Sequence, residues 1–304
     1  VKGKVLVVED DRNLRRVLKA MLVREGYDVA FDVQGNIKSG VVTFLSGAPL
    51  RYGFPREAAR ERQNAWFTNR RPPASAEDHH ISQKILRVVS APFGIPFAMG
   101  EPQGEVANTK EETDAASRLL EELLPGSFPR LAIHPGTTWN SKRMAPVFWA
   151  EAVRILRGTF PGMGTFLSWG TEREREECLA VRDLAGGRVV LLPRLGYKAL
   201  AAVYRRCGHM LGPDTGPLHL AAVAGAKTVS IFRGSDGRYA APVGPGHRFL
   251  QAPLPCTACQ IKGDKVCPRD AECRASIRAA DAAAEMEALM ARSVRSPAGG
   301  GNAP

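Results

Sequence analysis

Three short segments of this chain place glycine, hydroxyl and charged side chains where an apolar run gives way to a helical pattern. The first is HPGTTWNSK at 134–142, after the apolar residues 131–133 and before the helix expected over Val147 to Leu156. Its Gly-Thr-Thr turn offers unpaired backbone N–H groups and the hydroxyls of Thr137 and Thr138, and Lys142 adds a cation. Those are the donors that a diphosphate requires, although a Gly-rich turn with no ligand has the same composition. The second is GPDTGPLHLAAVAG at 212–225, where a strand ends and a helix begins around Pro217. Asp214 and Thr215 are expected to cap that helix, with Gly216 in the turn and His219 facing the same crevice. Capping alone would account for Asp214, and a structural role for His219. The third is SWGTERERE at 168–176, whose Glu172 stands either to accept hydrogen bonds from ribose hydroxyls or at a solvated helix start.

Such segments need a scaffold that brings strand ends together. Apolar strand candidates at 131–133, 164–168, 188–192, 208–211 and 228–232 alternate with helical stretches, the rhythm of a parallel sheet, whose ligands sit at the carboxyl ends of its strands. Upstream, Lys4 to Val8 reads as a strand ending in Glu9, Asp10 and Asp11, and Leu14, Val17, Leu18, Met21 and Leu22 recur at helical spacing. Tyr27 to Val33 then reads as a strand and Ile37 to Leu45 as a helix. A basic, loop-rich stretch follows from Arg51 to about Asn69, then a helix over Ile81 to Val89 and a polar linker over 101–108. A helix from about Lys110 to Leu124 ends at Pro125-Gly126, and after Ile277 an Ala-rich helix runs to about Arg292 before the tail SPAGGGNAP. The expected division is an N-terminal domain over 1–126, a second over 127–278, and a C-terminal helix and tail over 279–304.

At 304 residues the chain has room for two domains with sizeable cores. Its 42 Lys+Arg against 31 Asp+Glu, net +11, favour polyanionic partners. The basic residues are dispersed and lack regular aromatic interleaving, which sets nucleic acid aside in favour of a phosphorylated glycolipid or an anionic membrane surface. No apolar run reaches the roughly 18 residues of a membrane span, and the opening VKGKVLVVEDD meets charge too soon for a secretory segment, so a cytoplasmic protein is expected. The spacing Cys256-x2-Cys259-x7-Cys267-x5-Cys273 is near that of a structural zinc site, with free thiols as the alternative.

In this order and spacing, HPGTTWNSK, WGTERE and DTGPLHLAA resemble the donor-binding half of the family that contains the ADP-heptose:lipopolysaccharide heptosyltransferases. The resemblance implies an α/β fold of two Rossmann-like lobes, glycosyltransferase type B, with the nucleotide-diphosphate sugar in the C-terminal lobe. It also implies inverting transfer of heptose to a lipopolysaccharide inner-core acceptor without a catalytic metal, by a protein that can sit peripherally on the inner membrane. On the matching positions, Thr137, Thr138 and Lys142 would hold diphosphate and sugar, Glu172 the nucleoside, and Asp214, Thr215, Gly216 and His219 sugar and phosphates. YDVAFDVQGNIKSG at 27–40 and GAPLRYGFPREAARERQNAWFTNRR at 47–71 resemble the family's acceptor-facing region, which makes Gln34, Lys38, Arg56 and Arg60 acceptor candidates. Arginine forks suit phosphate independently of the resemblance, as they suit a solvated basic surface. The likeness runs over about residues 27–277.

Two departures matter. The family's Ser-x-x-Gly-Asp turn, whose Asp is the expected base, and several βα units before YDVAFDVQG are replaced by KVLVVEDDRNLRRVLKAMLVREGYDVA, which resembles the first strand and helix of a response-regulator receiver. The receiver's later Asp and Lys are missing, so Asp10 and Asp11 read best as a helix cap. Asp11 is the tentative base beside Lys142 as the leaving-group cation, with Asp32 the other acid in reach. Loss of a general base costs about 10² to 10⁴ in rate, so the alternative function is nucleotide-sugar binding with impaired turnover. A shortened lobe also predicts uncovered sheet edges and apolar helix faces, and with them aggregation or dimerisation. Second, FRGSDGR at 232–238 stands where the family carries Gly-Pro-Thr-Asp, which leaves the donor sugar open.

Overall fold

The computed structural model describes residues 5–8, 25–95 and 106–295. Contacts divide the chain into two compact units, Val1–Gly100 and Glu101–Pro304.

In the first unit, strands β1 (Val5–Val8), β2 (Val29–Asp32) and β3 (Leu50–Tyr52) form a parallel sheet in that order, Val5 facing Val29 and Val29 facing Leu50. Helix α1 (Ile37–Leu45) starts at Asn36, whose side chain accepts from the Ser39 N–H while Ser39 accepts from the Asn36 N–H. That reciprocal box fixes the start where the sequence predicts it. Helix α2 (Ile81–Ser90) closes a small core of Phe31, Phe54 and Val88, with Tyr52 stacked on Phe31 at 5.4 Å. Strand β3 overlaps the start of the stretch expected to be loop-rich. Three residues with a central arginine carry no period, and only pairing with β2 defines them. The receiver-like helix around Leu14 lies outside the described residues.

The second unit is a six-stranded, wholly parallel sheet. In chain order it runs α3 (Lys110–Leu123), β4 (Arg130–Ile133), α4 (Pro146–Thr159), β5 (Gly164–Leu167), α5 (Glu172–Ala185), β6 (Val189–Leu191), α6 (Tyr197–Cys207), β7 (His209–Pro213), α7 (Gly216–Val223), β8 (Lys227–Phe232), α8 (Gly237–Ala240), β9 (His247–Gln251), α9 (Asp270–Ala275) and α10 (Ala279–Arg295). The strand order is β6-β5-β4-β7-β8-β9, so the winding reverses between β4 and β7. Both faces are covered. Leu131, Ile133, Leu167, Leu211 and Ile231 pack beneath Trp149, Val153, Val181 and Met286 of α4, α5 and α10. Ala132, Phe166 and Met210 pack on the other side beneath Leu120, Tyr204 and Leu218 of α3, α6 and α7. Burial on both faces explains why these strands read as unbroken apolar runs. Helix α3, drawn ahead of the 126/127 boundary from the sequence, belongs by contact to this unit, as does α10. Strand β9 is an addition to the expected set. HRFLQ lies at the sheet edge, half-exposed, and its mixed composition gives no strand signal.

Candidate functional site

The reversal between β4 and β7 opens a crevice at their carboxyl ends, the place where open parallel sheets bind ligands. The segment after β4 ends in a single turn, Asn140–Lys142, that brings Lys142 across to the end of β7. Its Nζ donates to Asp214 Oδ2 at 2.5 Å and lies 4.3 Å from the centre of the Trp139 ring. Asp214 is buried, and it also accepts from Ser235 Oγ at 2.6 Å, with His219 Nε2 at 3.3 Å from its other oxygen. Burial acts to raise the Asp214 pKa. The His219 hydrogen bond, the Lys142 cation and the Ser235 hydroxyl outweigh it and hold the carboxyl well below the usual range.

This arrangement corrects the expected capping. Thr215 is the N-cap of α7, but its side chain makes no capping bond, and the Asp214 carboxylate turns toward Lys142, Ser235 and His219 instead. Three polar partners in a buried crevice outcompete the single N–H that a cap would offer. The first turn of α7, beginning at Gly216, thus has no side-chain cap on its N–H groups.

The β4 and β5 loops are held by a second network. Thr171 caps α5 in a reciprocal box with Glu174, whose Oε2 accepts from the N–H groups of Gly170 at 2.8 Å and Thr171 at 3.0 Å. Its other oxygen lies 3.8 Å from His134 Nε2, and His134 Nδ1 reaches Ser168 Oγ at 3.1 Å. His134 and the two backbone N–H groups together lower the Glu174 pKa to about 2 against the effect of burial. A Cβ at Gly136 would stand 2.4 Å from Glu174 Cγ, so only glycine allows this approach of loop to helix. Glu174 is thus the acid that reaches the β4 loop. Glu172, the expected ribose partner, sits exposed at the first position of α5 and accepts from Arg175 at 2.7 Å. The Thr-x-x-Glu spacing of a capping box was the sequence signal for Glu174.

Two buried arginines complete the frame, and neither stood out in the sequence. Arg143 donates to the Thr137 carbonyl at 2.5 Å and pairs with Glu177. Arg233, 2% exposed, donates to the carbonyl of Arg143 and to the Asp270 carboxylate, the latter at 2.6 Å. Thr137 is buried and held by its carbonyl, while Thr138 beside it is exposed. The cysteine segment braces the same loop: Ser141 Oγ donates to the Ile261 carbonyl at 2.6 Å, Asn140 N–H to Gly263 at 2.9 Å, and Gln260 N–H to Gly234 at 2.9 Å. All six cysteines are free thiols, with Cys256 and Cys259 exposed and Cys267 and Cys273 half-buried. No three His, Cys, Asp or Glu side chains are gathered to hold a metal ion among the described residues, so the four cysteines as placed do not fit the expected zinc site. Cys256 instead lies 3.7 Å from an Arg269 N–H donor.

In the first unit, Lys38, in the first turn of α1, and Arg56 and Arg60, in the loop after β3, are exposed, and Gln34, in the loop after β2, is half-buried. Asp32, fully buried, accepts from the N–H of Gln34 and Gly35, from Ser39 Oγ, and from Asn64 Nδ2 at 2.5 Å. Its carboxylate is consumed in shaping the β2–α1 turn, which removes it as a base. Asp11 lies outside the described residues.

A cation paired to a buried carboxylate stands at the reversal point of a parallel sheet, beside the start of α7 and after the Gly-Thr-Thr turn, in an α/β protein of the Rossmann-like class expected. The chain belongs to glycosyltransferase family 9 (heptosyltransferase), whose profile matches residues 15–268. It is similar to lipopolysaccharide heptosyltransferase 1 of Pseudomonas aeruginosa, 29% identical over 248 residues that make up 81% of this chain and 66% of that protein. The chain thus spans about two thirds of that relative's length. Among solved structures, the family 9 glycosyl transferase of Veillonella parvula superposes with a TM-score of 0.71 at 14% identity, over 92% of this chain and 78% of that one. E. coli heptosyltransferase WaaC with ADP-2-deoxy-2-fluoro heptose gives 0.59 at 24% identity, over 82% and 74%. The α/β glycosyltransferase type B class predicted from the sequence is the fold found. No helix among the described residues is long and apolar enough to cross a membrane.

Proposed function

We propose that this chain is an inverting, metal-independent glycosyltransferase that moves heptose from ADP-heptose to a lipopolysaccharide inner-core acceptor at the cytoplasmic side of the inner membrane. The observation that carries the reading is the Lys142–Asp214 pair at the strand reversal, 2.5 Å long, in front of a helix start whose N-cap side chain makes no capping bond. An acceptor hydroxyl attacks the anomeric carbon from the face opposite the diphosphate, and the sugar–phosphate bond breaks with its electrons on the departing oxygen. Lys142 and the N–H groups of the α7 first turn stabilise that charge, a contribution that grows as the bond breaks and so lowers the barrier. Asp214 holds the ammonium in place until the diphosphate arrives. Thr137, Thr138, Thr215, Gly216 and His219 surround sugar and phosphates, and Glu172 addresses the nucleoside from the start of α5. On the acceptor side, Gln34, Lys38, Arg56 and Arg60 take the phosphorylated glycolipid, and the proton of its hydroxyl is assigned to Asp11.

Calorimetric titration with ADP tests the donor half. The chain binds saturably, and both Lys142→Ala and Asp214→Ala weaken binding. Transfer from ADP-heptose to heptose-deficient lipopolysaccharide, followed as ADP release, tests the whole. Folded protein that binds no ADP overturns the proposal, and ADP binding without transfer overturns its catalytic half.

A further inference from the structure

Between β9 and α9 the chain runs through residues 252–269, and one short stretch of that connection lies against the loop after β4. Gln260 donates its N–H to the Gly234 carbonyl at 2.9 Å, the Ile261 carbonyl accepts from Ser141 Oγ at 2.6 Å, and the Gly263 carbonyl accepts from the Asn140 N–H at 2.9 Å. Arg173 of α5 then ties Asn140 Oδ1, at 3.3 Å, to the Asp264 carboxylate, at 3.2 Å. Residues 260, 261, 263 and 264 are thus each an anchor, and the residue between them is Lys262. Its backbone is fixed from both sides, while its exposed side chain serves in no anchor. That side chain goes to Trp139, with Nζ 6.0 Å from the centre of the indole ring.

The same ring holds Lys142 Nζ at 4.3 Å, which sets the two ammonium groups no more than about 10 Å apart. Attraction to the ring draws each cation in, and like-charge repulsion opposes their meeting there. Lys142 has the Asp214 carboxylate at 2.5 Å to offset its charge. Among the described residues Lys262 pairs with no carboxylate, and Asp264, the acid two positions on, is taken by Arg173. One balanced and one unbalanced cation on a shared ring, beside the strand reversal, leave room for an anion. A single carboxylate or phosphate would satisfy one of them. A diphosphate carries its charge on two adjacent groups and can meet both.

We propose that Lys262 is a second diphosphate-binding cation of the donor site, set beside Lys142 on the Trp139 ring. The proposal rests on the transfer reading and deepens it: the diphosphate is met by one cation from the loop after β4 and by another from the segment after β9. Trp139 is a positioning residue that acts through the two ammonium groups. The segment that carries the four cysteines thus has a task that asks nothing of its thiols, because its anchors deliver a cation to the site.

The test is calorimetric titration with ADP and with AMP, on the full wild-type chain and on Lys262→Met, Lys262→Arg and Lys265→Met. The wild type prefers ADP to AMP. Lys262→Met weakens ADP binding about fivefold or more and AMP binding much less, with an unchanged Tm, and Lys262→Arg recovers most of the loss. Lys265→Met removes a charge from an exposed position three residues on and keeps the wild-type affinity for ADP. A Lys262→Met chain that binds ADP as the wild type does, or that loses ADP and AMP affinity alike, overturns the proposal and leaves the transfer reading intact. So does an equal loss in Lys265→Met, which would assign the effect to the general basic field of the chain. Folded wild-type protein that binds no ADP overturns the transfer reading, and this proposal with it.

Discussion

Replacing Arg143 by methionine removes two links from the loop that carries Thr137, Thr138 and Lys142. One is the ion pair with Glu177, and the other is the hydrogen bond to the Thr137 carbonyl. Breaking a largely buried pair from one side costs about 3–5 kcal/mol, and a hydrogen bond from a charged donor contributes about 1.5–3 kcal/mol. The two do not add, because Arg173 also acts on Glu177 and because Glu177 has a second recourse. Burial already raises its pKa, with Arg143 and Arg173 opposing, so without Arg143 it gains a proton more readily and sheds the charge that made it costly. The net expectation is about 2–4 kcal/mol, or a Tm lowered by roughly 4–16 °C for a unit of this size. In the variant Glu177 is an acid with a raised folded pKa. It destabilises when ionised above that pKa, so the deficit shrinks as pH falls. Thermal melts and ADP titrations of the wild type, Arg143→Met, Glu177→Gln and the double variant form the assay. The double variant recovers a large part of the stability, because no unpaired carboxylate remains, yet it does not recover ADP affinity, because the Thr137 carbonyl still lacks its donor. A double variant no more stable than Arg143→Met would refute the pairing. Full ADP affinity in Arg143→Met would refute the claim that this arginine positions the loop.

Other perturbations separate the remaining parts of the frame. Gly136→Ala places a methyl against Glu174 and destabilises the second unit by about 1–3 kcal/mol, and Glu174→Ala in the same chain relieves the overlap, as melts of the single and double variants would record. Glu174 is held at about 2 from an ordinary 4.5, so it adds stability at pH values above its unfolded pKa. That contribution falls away as pH drops from about 4.5 toward about 2, and the pH dependence of unfolding in this window flattens in Glu174→Gln. Asp32→Asn puts an N–H₂ group where four donors converge and destabilises the first unit by about 1.5–3 kcal/mol while calorimetry finds ADP affinity unchanged. Ser141→Ala removes the bond to the Ile261 carbonyl, and limited proteolysis then cuts the 256–273 segment faster than in the wild type.

Much of the donor side was present in the order of residues. The alternation of apolar runs with helical stretches is local, and it predicted β4 to β8 and helix α4 within a few residues, because burial on both faces demands apolar strands. Gly-Thr-Thr after β4 and Asp-Thr-Gly after β7 marked two strand ends for the same reason. What no local pattern contained is which strand ends become neighbours. Only the order β6-β5-β4-β7-β8-β9 brings Lys142 within 2.5 Å of Asp214, 72 residues apart in sequence, and so turns an apparent helix cap into the partner of a cation. Arg143 and Arg233 were illegible because a buried arginine and a solvated one are spelled alike, and their carbonyl and carboxylate partners come from distant elements. Strands β3 and β9 gained their form from a neighbour's ladder rather than from their own composition. In α1 the sequence determined a helix and its ends, through the Asn36 and Ser39 box and the apolar spacing. Tertiary packing of Phe67 and Asn64 against Gly40 decided that its small, polar side faces inward, because that approach admits no larger residue, and so left Ile37, Val41, Phe44 and Leu45 facing out.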